Sequence, residues 1–356
     1  MSDDSFQEFA EEGEVIQGIT AMSRQLGRAR TEASVLKAQV KELEADLDQA
    51  EIRSQLFTQL AGHTYKSPKW LTTTPKKSSG VVCTILSDTH FDEVVKPEEI
   101  GYRNEYNREI AVARLENYFQ KVILLTKDYI TGINYEGCVL FLGGDIFSGD
   151  IHEELTQTNE DTMLSSVIFW TEQITAGINL LAEHFNYVHI PCVVGNHGRR
   201  TRKPRAKLRA RDNFDWFLAK TLESQWLSDD RVTFDIPDGT DAFVPIHNST
   251  YLLTHGDQAS GGGGIGGIWP PIMRLVARKR NNNDFTCMVL GHWHQLVMAP
   301  SSGFILNGSL KGYDEFASVM NFPCEPPQQA LWINVPDKGI LWQTPILVCD
   351  KKAEGW

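Results

Sequence analysis

The sequence predicts an α/β fold: a globular domain of strands and helices, preceded by an N-terminal coiled-coil helix. Three observations carry this. Apolar or small residues recur at alternating spacings of four and three from Val15 to Ala50, the repeat of a left-handed coiled coil. From Val81 onward, short apolar runs alternate with helical stretches and then give way to a β-rich C-terminal part. The 356 residues are 41% hydrophobic and 22% charged, enough apolar material for a large core in a soluble chain.

Taken in order, residues 1–62 form the first segment. Its first sixty residues contain no Pro and no Trp, and the stripe Val15, Ile19, Met22, Leu26, Ala29, Ala33, Leu36, Val40, Leu43, Leu47, Ala50 keeps one register. The expectation is self-association through residues 15–57. Gly18 and Gly27 weaken the first half, because Gly costs about 1 kcal/mol inside a helix. The same stripe also fits one amphipathic helix lying on its own globular domain. Residues 63–80, HTYKSPKWLTTTPKKSSG, read as a linker, or as an arm packed through Trp70. The domain proper is placed at 81–356. Its expected strands are VVCTIL, CVLFLGG, YVHIPCVVG, STYLLTHG, FTCMVLGH, FILNGS, QALWINV and GILWQTPIL. Helices are expected over 107–128, 152–184 and 212–228.

Composition excludes several classes. With 34 Lys+Arg against 46 Asp+Glu, the net charge is −12, so any nucleic-acid contact needs a local basic patch. No apolar run approaches the ~18 residues of a membrane span, and no membrane partner is expected. The acidic start MSDDSFQEFAEEGEV lacks a signal-type apolar region, which points to the cytoplasm, the host's if the chain is phage-encoded. The six cysteines are scattered, without a CxxC pair, as small buried hydrophobes in a reducing compartment.

The polar residues of interest stand at the C-terminal ends of the apolar runs. TILSDTH ends in Asp88 and His90, VLFLGGD in Asp145, and IPCVVGNH in Asn196 and His197. YLLTHGD carries His255, and MVLGHWH carries His292 and His294. Ligands gather beyond strand C-termini in open α/β sheets. His, Asp and Asn together suit divalent metals with mixed nitrogen and oxygen coordination. If the strand continues, residues i and i+2 point the same way, so Asp88/His90 and His292/His294 would each face one site.

The ordered set SDTH, GGD, GNH, THG and GHWH resembles the calcineurin-like metallophosphoesterase superfamily. The resemblance implies a β-sandwich flanked by helices, with the site at one edge. It implies two divalent metal ions, Mn²⁺ first, with Fe, Zn²⁺ or Mg²⁺ as alternatives. By the same resemblance Asp88, His90 and His294 hold one ion, Asn196, His255 and His292 the other, and Asp145 bridges them. Such a pair clamps a phosphoryl group and activates a water. His197 corresponds to the histidine that protonates the leaving alkoxide. The family usually follows GNH with Asp or Glu, whereas this chain has Gly198. His197 is therefore expected to be oriented by another carboxylate, such as Asp212 or Asp215, or else to be loosely held or to act only as a cationic contact to phosphate. Asp150, in GGDIFSGD, is expected either to cap a helix near Ile151 or to support the site from behind. The C-terminal region also resembles phage- and prophage-type phosphoesterases regarded as DNA-repair exonucleases.

Immediately after GNH comes RRTRKPRAKLRAR, residues 199–211, with eight Lys or Arg in thirteen positions and no acid. Arg199, Arg200, Arg202, Lys203 and Arg205 are the expected substrate contacts, since arginine forks match phosphate oxygens. Such a run also fits a solvated loop paired with surface carboxylates. The glycine run 261–267 is a candidate phosphate cradle or lid hinge, or a plain flexible loop; Trp269 and Trp293 are candidate stacking residues, with core or lid packing the favoured reading for Trp269. The function expected is metal-dependent hydrolysis of phosphodiesters in nucleic acid, DNA foremost. The alternatives are a phosphomonoesterase, or a coiled-coil nucleic-acid-binding assembly protein with a relic site.

Overall fold

The computed structural model describes residues 30, 33–41, 67–72, 78–261 and 267–350. The chain falls into two units, residues 1–63 and 64–356. In the first, residues 33–41 are helical, with Leu36 and Val40 exposed. The rest of the heptad stretch lies outside the described residues.

The second unit is built on two sheets. The larger runs in the order β11-β10-β1-β2-β3-β4 and the smaller β5-β6-β7-β9-β8. In the first, β1 (Ser79–Leu86), β2 (Asn134–Leu142), β3 (Val188–Pro191) and β4 (Val232–Asp235) are parallel. Antiparallel β10 (Gln328–Val335) and β11 (Gly339–Leu347) extend that sheet beyond β1. In the second, β6 (Ser249–Thr254), β7 (Cys287–Leu290) and β9 (Phe304–Leu306) are parallel, with β5 (Asp241–Ile246) and β8 (Val297–Ala299) antiparallel at the margins.

Strand alternation explains the sandwich. Val81, Cys83 and Ile85 of β1, with Val139 and Phe141 of β2 and Trp332 of β10, form one core cluster with Tyr251, Leu253, Val289 and Ile305 of the second sheet. The intervening residues of β1 face the opposite way: Thr84 bonds the Tyr118 hydroxyl, 2.8 Å away on the helix Arg108–Leu124. The helix Met163–Phe185 packs against that helix and against β2 and β3. On the outer face of the second sheet, Ile272, Leu275 and Val276 of the helix Trp269–Arg280 meet Leu252, Met288 and Leu306. This is the β-sandwich flanked by helices that the motifs imply.

Three elements depart from expectation. The stretch 152–184 is two helices, Glu153–Thr158 and Met163–Phe185, separated by Asn-Glu-Asp-Thr, whose short polar side chains favour turns. The third expected helix is shorter, Phe214–Gln225, because Asn213 caps it by accepting from Asp215 N at 2.8 Å. The helix Trp269–Arg280 is an addition to those expected. It begins Trp-Pro-Pro, and proline is tolerated in the first turn, where the amide would lack a helical partner anyway. The Trp269 ring packs edge-on against Phe304, centroids 5.1 Å apart. Residues 262–266 of the glycine run lie outside the described residues. Within the segment 63–80, Leu71 is fully buried and Trp70 packs against the core.

Candidate metal centre

The parallel strands of both sheets deliver their C-terminal loops to one edge, and the loops are bonded to each other. After β1, Asp88 N donates to Gly144 O (3.1 Å), Thr89 N to Asp145 O (3.0 Å) and Phe91 N to Ile146 O (2.9 Å). Across the sandwich, His292 N donates to Asp88 Oδ1 (2.8 Å). The expected i, i+2 alternation does not continue past the strands. Asp88, His90, Asp145, His292 and His294 all have φ between 45° and 73°, a left-handed backbone that costs non-glycine residues roughly 1–2 kcal/mol each. The side chains converge because the chain kinks at each of these ligand-type residues. The loop-to-loop hydrogen bonds hold those kinks.

Three triads have their ligand-type atoms within 4.8 Å of one another: Asp88 with His90 and His294, His90 with Asp145 and His197, and Asp145 with His255 and His292. Asp145 belongs to two of them, as a bridging carboxylate would. His255 donates from Nδ1 to Gly143 O (2.8 Å), so the neutral ring carries its lone pair on Nε2. That atom lies 2.9 Å from Asp145 Oδ2. Two acceptors at this distance require a positive charge, either a proton or a cation. His90 Nε2 and His294 Nε2 similarly approach to 3.1 Å. Asn196 Oδ1 is buried without a hydrogen-bond partner, an unusual state for an amide oxygen. The donor chemistry, the converging lone pairs and this orphaned oxygen all fit divalent cations.

The electrostatics divide the cluster. Burial raises the Asp88 carboxyl to about 7, with His255 opposing and Asp145 assisting. Burial also pushes Asp145 up, yet His255, His197 and His90 together hold it well below the usual range. Burial would lower His255, but Asp145 raises it to about 10. Burial, with cationic neighbours, lowers His90 and His292 to about 4 and His294 well below its ordinary value. Three imidazoles are thus held neutral, the form that binds a metal.

The orientation of His197 differs from expectation. Its Nδ1 donates to Ser148 O at 2.8 Å, leaving Nε2 as the other ring nitrogen. Asp212 instead pairs with Arg200 at 3.2 Å. Asp215 is 4% exposed and accepts from Asp145 N (3.0 Å), Ile146 N (3.2 Å) and Gly195 N (2.9 Å). It braces the loop of the bridging carboxylate against the loop of Asn196 and His197. Gly198 has a steric cause: a Cβ there would lie 2.4 Å from Asn213 Oδ1 and 3.0 Å from Asp215 Cγ. Asp150 does not cap the helix beyond it; His152 occupies that position without a side-chain bond.

The basic run is unevenly engaged. Arg199 donates to Asn196 O (2.7 Å), Thr201 O (2.9 Å) and Arg202 O (3.1 Å), closing its own loop. Besides the Arg200 pair, Arg209 meets Asp257 at 2.5 Å and Arg211 meets Asp238 at 2.6 Å. Arg202, Lys203, Arg205 and Lys207 are exposed and have no ion pair among the described residues. A small crevice lies within the loop, lined by residues that include Asn196, Arg199, Arg205, Lys207, Arg209 and Asp257. Trp293 packs against the second core cluster rather than standing free.

Sequence reasoning named Asp215 as a support for His197 rather than for the loop amides, and it missed Ser148, Glu93 and Lys311. Lys311 had a visible signal: it follows β9 in NGSLKG, a further strand end rich in polar residues. From that segment Ser309 Oγ (2.9 Å) and Leu310 N (3.2 Å) both donate to Asp88 O.

No protein-family model and no curated protein sequence matches the chain. Among solved structures, it is similar to Vacuolar Protein Sorting 29 from Cryptosporidium parvum, with 16% identity over 75% of this chain and 98% of that one, at a TM-score of 0.33. A predicted phosphoesterase from Streptococcus pneumoniae shows 10% identity over 75% and 97%, at 0.29. A zinc complex of Vps29 from Entamoeba histolytica shows 10% over 74% and 99%, at 0.30. At this level of similarity, the chemistry of the site follows from its own geometry alone.

Proposed function

We propose that the chain is a phosphoesterase dependent on two divalent metal ions, acting on phosphodiester bonds of nucleic acid. The observation that carries this is the convergence of three His/Asp triads, two of which share Asp145. Asp88, His90, His294 and Asp145 would hold one ion, and Asp145, Asn196, His255 and His292 the other, with Mn²⁺ as the first choice. Bound divalent ions supply Lewis-acid stabilisation of phosphoryl oxygens and acidify a water.

The chain's own residues supply the rest. Asp145 keeps its carboxylate ionised among imidazoles, while His197 N fixes its Oδ1 at 2.7 Å. Ser148 O fixes the His197 ring, so a proton on Nε2 would pass to the leaving oxygen, a contribution of typically ~10²–10⁴-fold. The exposed cations Arg202, Lys203, Arg205 and Lys207, in the loop that follows Asn196 and His197, support a polyanionic substrate, whose backbone would run from the cluster onto them.

The test is a screen with Mn²⁺ on labelled single- and double-stranded DNA, RNA, bis-p-nitrophenyl phosphate and p-nitrophenyl phosphate. Cleavage of a nucleic acid and of the diester is the expected result. Turnover of the monoester alone would make the chain a phosphomonoesterase. Self-association through residues 15–57 is part of the proposal; removing residues 1–62 should reduce particle mass in light scattering.

A further inference from the structure

We infer that Glu93, clamped by Lys311, is a positioning residue that fixes the His90 ring with Nδ1 protonated and Nε2 turned toward the cluster. The inference deepens the metal-centre reading and rests on it. It starts from a turn: Glu93 N donates to His90 O at 3.1 Å, which brings the side chains of residues 90 and 93 together. Glu93 Oε2 then lies 3.4 Å from His90 Nδ1. That nitrogen is buried and makes no hydrogen bond in the structure, so Glu93 stands beside it at ion-pair distance. His90 Nε2, on the far side of the ring, is the atom 3.1 Å from His294 Nε2. A carboxylate accepts only, so closing this contact into a hydrogen bond requires the proton on Nδ1. The lone pair is then left on Nε2, where a cation would need it.

Glu93 is itself held. Lys311 Nζ donates to Glu93 Oε1 at 2.8 Å and to Asp314 Oδ2 at 2.5 Å. Lys311 is 2% exposed and Glu93 7%. The Lys311 carbonyl accepts from Asn104 Nδ2 (2.9 Å) and Arg114 Nη1 (2.6 Å). With one oxygen committed to the ammonium, Glu93 has one oxygen left for His90. The segment 309–311 therefore supports both ligand-type residues of the first loop, Asp88 through its carbonyl and His90 through Glu93.

The test reads the ring directly. Long-range proton–nitrogen correlation on ¹⁵N-labelled, metal-free protein reports each histidine tautomer, with His90 assigned by comparison with His90→Gln. The expected result is His90 in the Nδ1–H form. Glu93→Ala should lose that preference and weaken Mn²⁺ binding about 10–100-fold in a chelator competition. Glu93→Gln, which keeps one acceptor oxygen for the two donors Lys311 and His90, should fall between the wild type and the alanine variant in both tautomer preference and affinity. An Nε2–H tautomer in the wild type would overturn the inference without any variant having to fold. An alanine variant with wild-type tautomer and affinity would overturn it too. Failure of the wild type to bind Mn²⁺ would overturn the reading on which it rests, a separate outcome.

Discussion

The strand-end cluster and the basic loop 199–211 lie side by side and are built by opposite means. In the cluster, Asp88, His90, Asp145 and His255 are at most 2% exposed, and the first three sit on left-handed backbones tied by cross-loop amides. In the loop, Arg202, Lys203, Arg205 and Lys207 reach solvent. Chemistry that depends on sub-ångström placement sits where the core fixes it. Under the proposed function, selection of a flexible polyanion would sit where charge alone suffices. Substitutions in the cluster should therefore stop the reaction on every substrate. Those in the loop should act only on long ones.

The largest effect is expected at the shared carboxylate. Asp145→Asn should cost ~10³-fold or more on any phosphoester, because removing even one preorganised charge-stabilising group costs ~10²–10³-fold. Metal content measured alongside should fall as well. Wild-type turnover with full metal content would remove the distinction at its root. Next is His197→Ala: kcat should fall ~10²–10⁴-fold while bound metal is retained, which separates proton transfer from metal holding. Parallel loss of metal would make His197 a ligand instead.

Changing Arg202, Lys203, Arg205 and Lys207 together to Gln sharpens the loop's side of the comparison. The slope of log affinity against log salt should flatten by about 0.9 for each duplex phosphate that is no longer neutralised. Hydrolysis of bis-p-nitrophenyl phosphate should remain within about twofold, because the metal ligands and His197 stay in place. An unchanged slope would detach the loop from substrate. The smallest effect is expected at Arg200 and Asp212, a largely exposed surface pair. Arg200→Gln should change stability by less than about 1 kcal/mol, read as a small Tm shift.

Much of the centre was legible because its residue types are rare at strand ends and recur at five of them. Asp88, His90, Asp145, Asn196, His197, His255, His292 and His294 needed only short apolar runs to locate. Their supports were not legible in the same way. Asp215 acts through backbone amides 20 to 70 residues away, and Ser148 through its carbonyl, which any residue possesses. Glu93 and Lys311 are separated by 218 positions, so no spacing pattern joins them. Among strands, β8 is three residues long and β5 contains Pro245, a residue that demotes a run to an edge. Both lie at the margins of the second sheet.

The loops that converge on Asp145 would hold two cations around it. A crystal structure of the protein with Mn²⁺, using anomalous scattering to locate the metal, tests this most directly. Two anomalous peaks are expected, one against Asp88, His90 and His294, the other against Asn196, His255 and His292, with Asp145 touching both. Absence of any peak at these residues, with Mn²⁺ bound elsewhere or not at all, would contradict it.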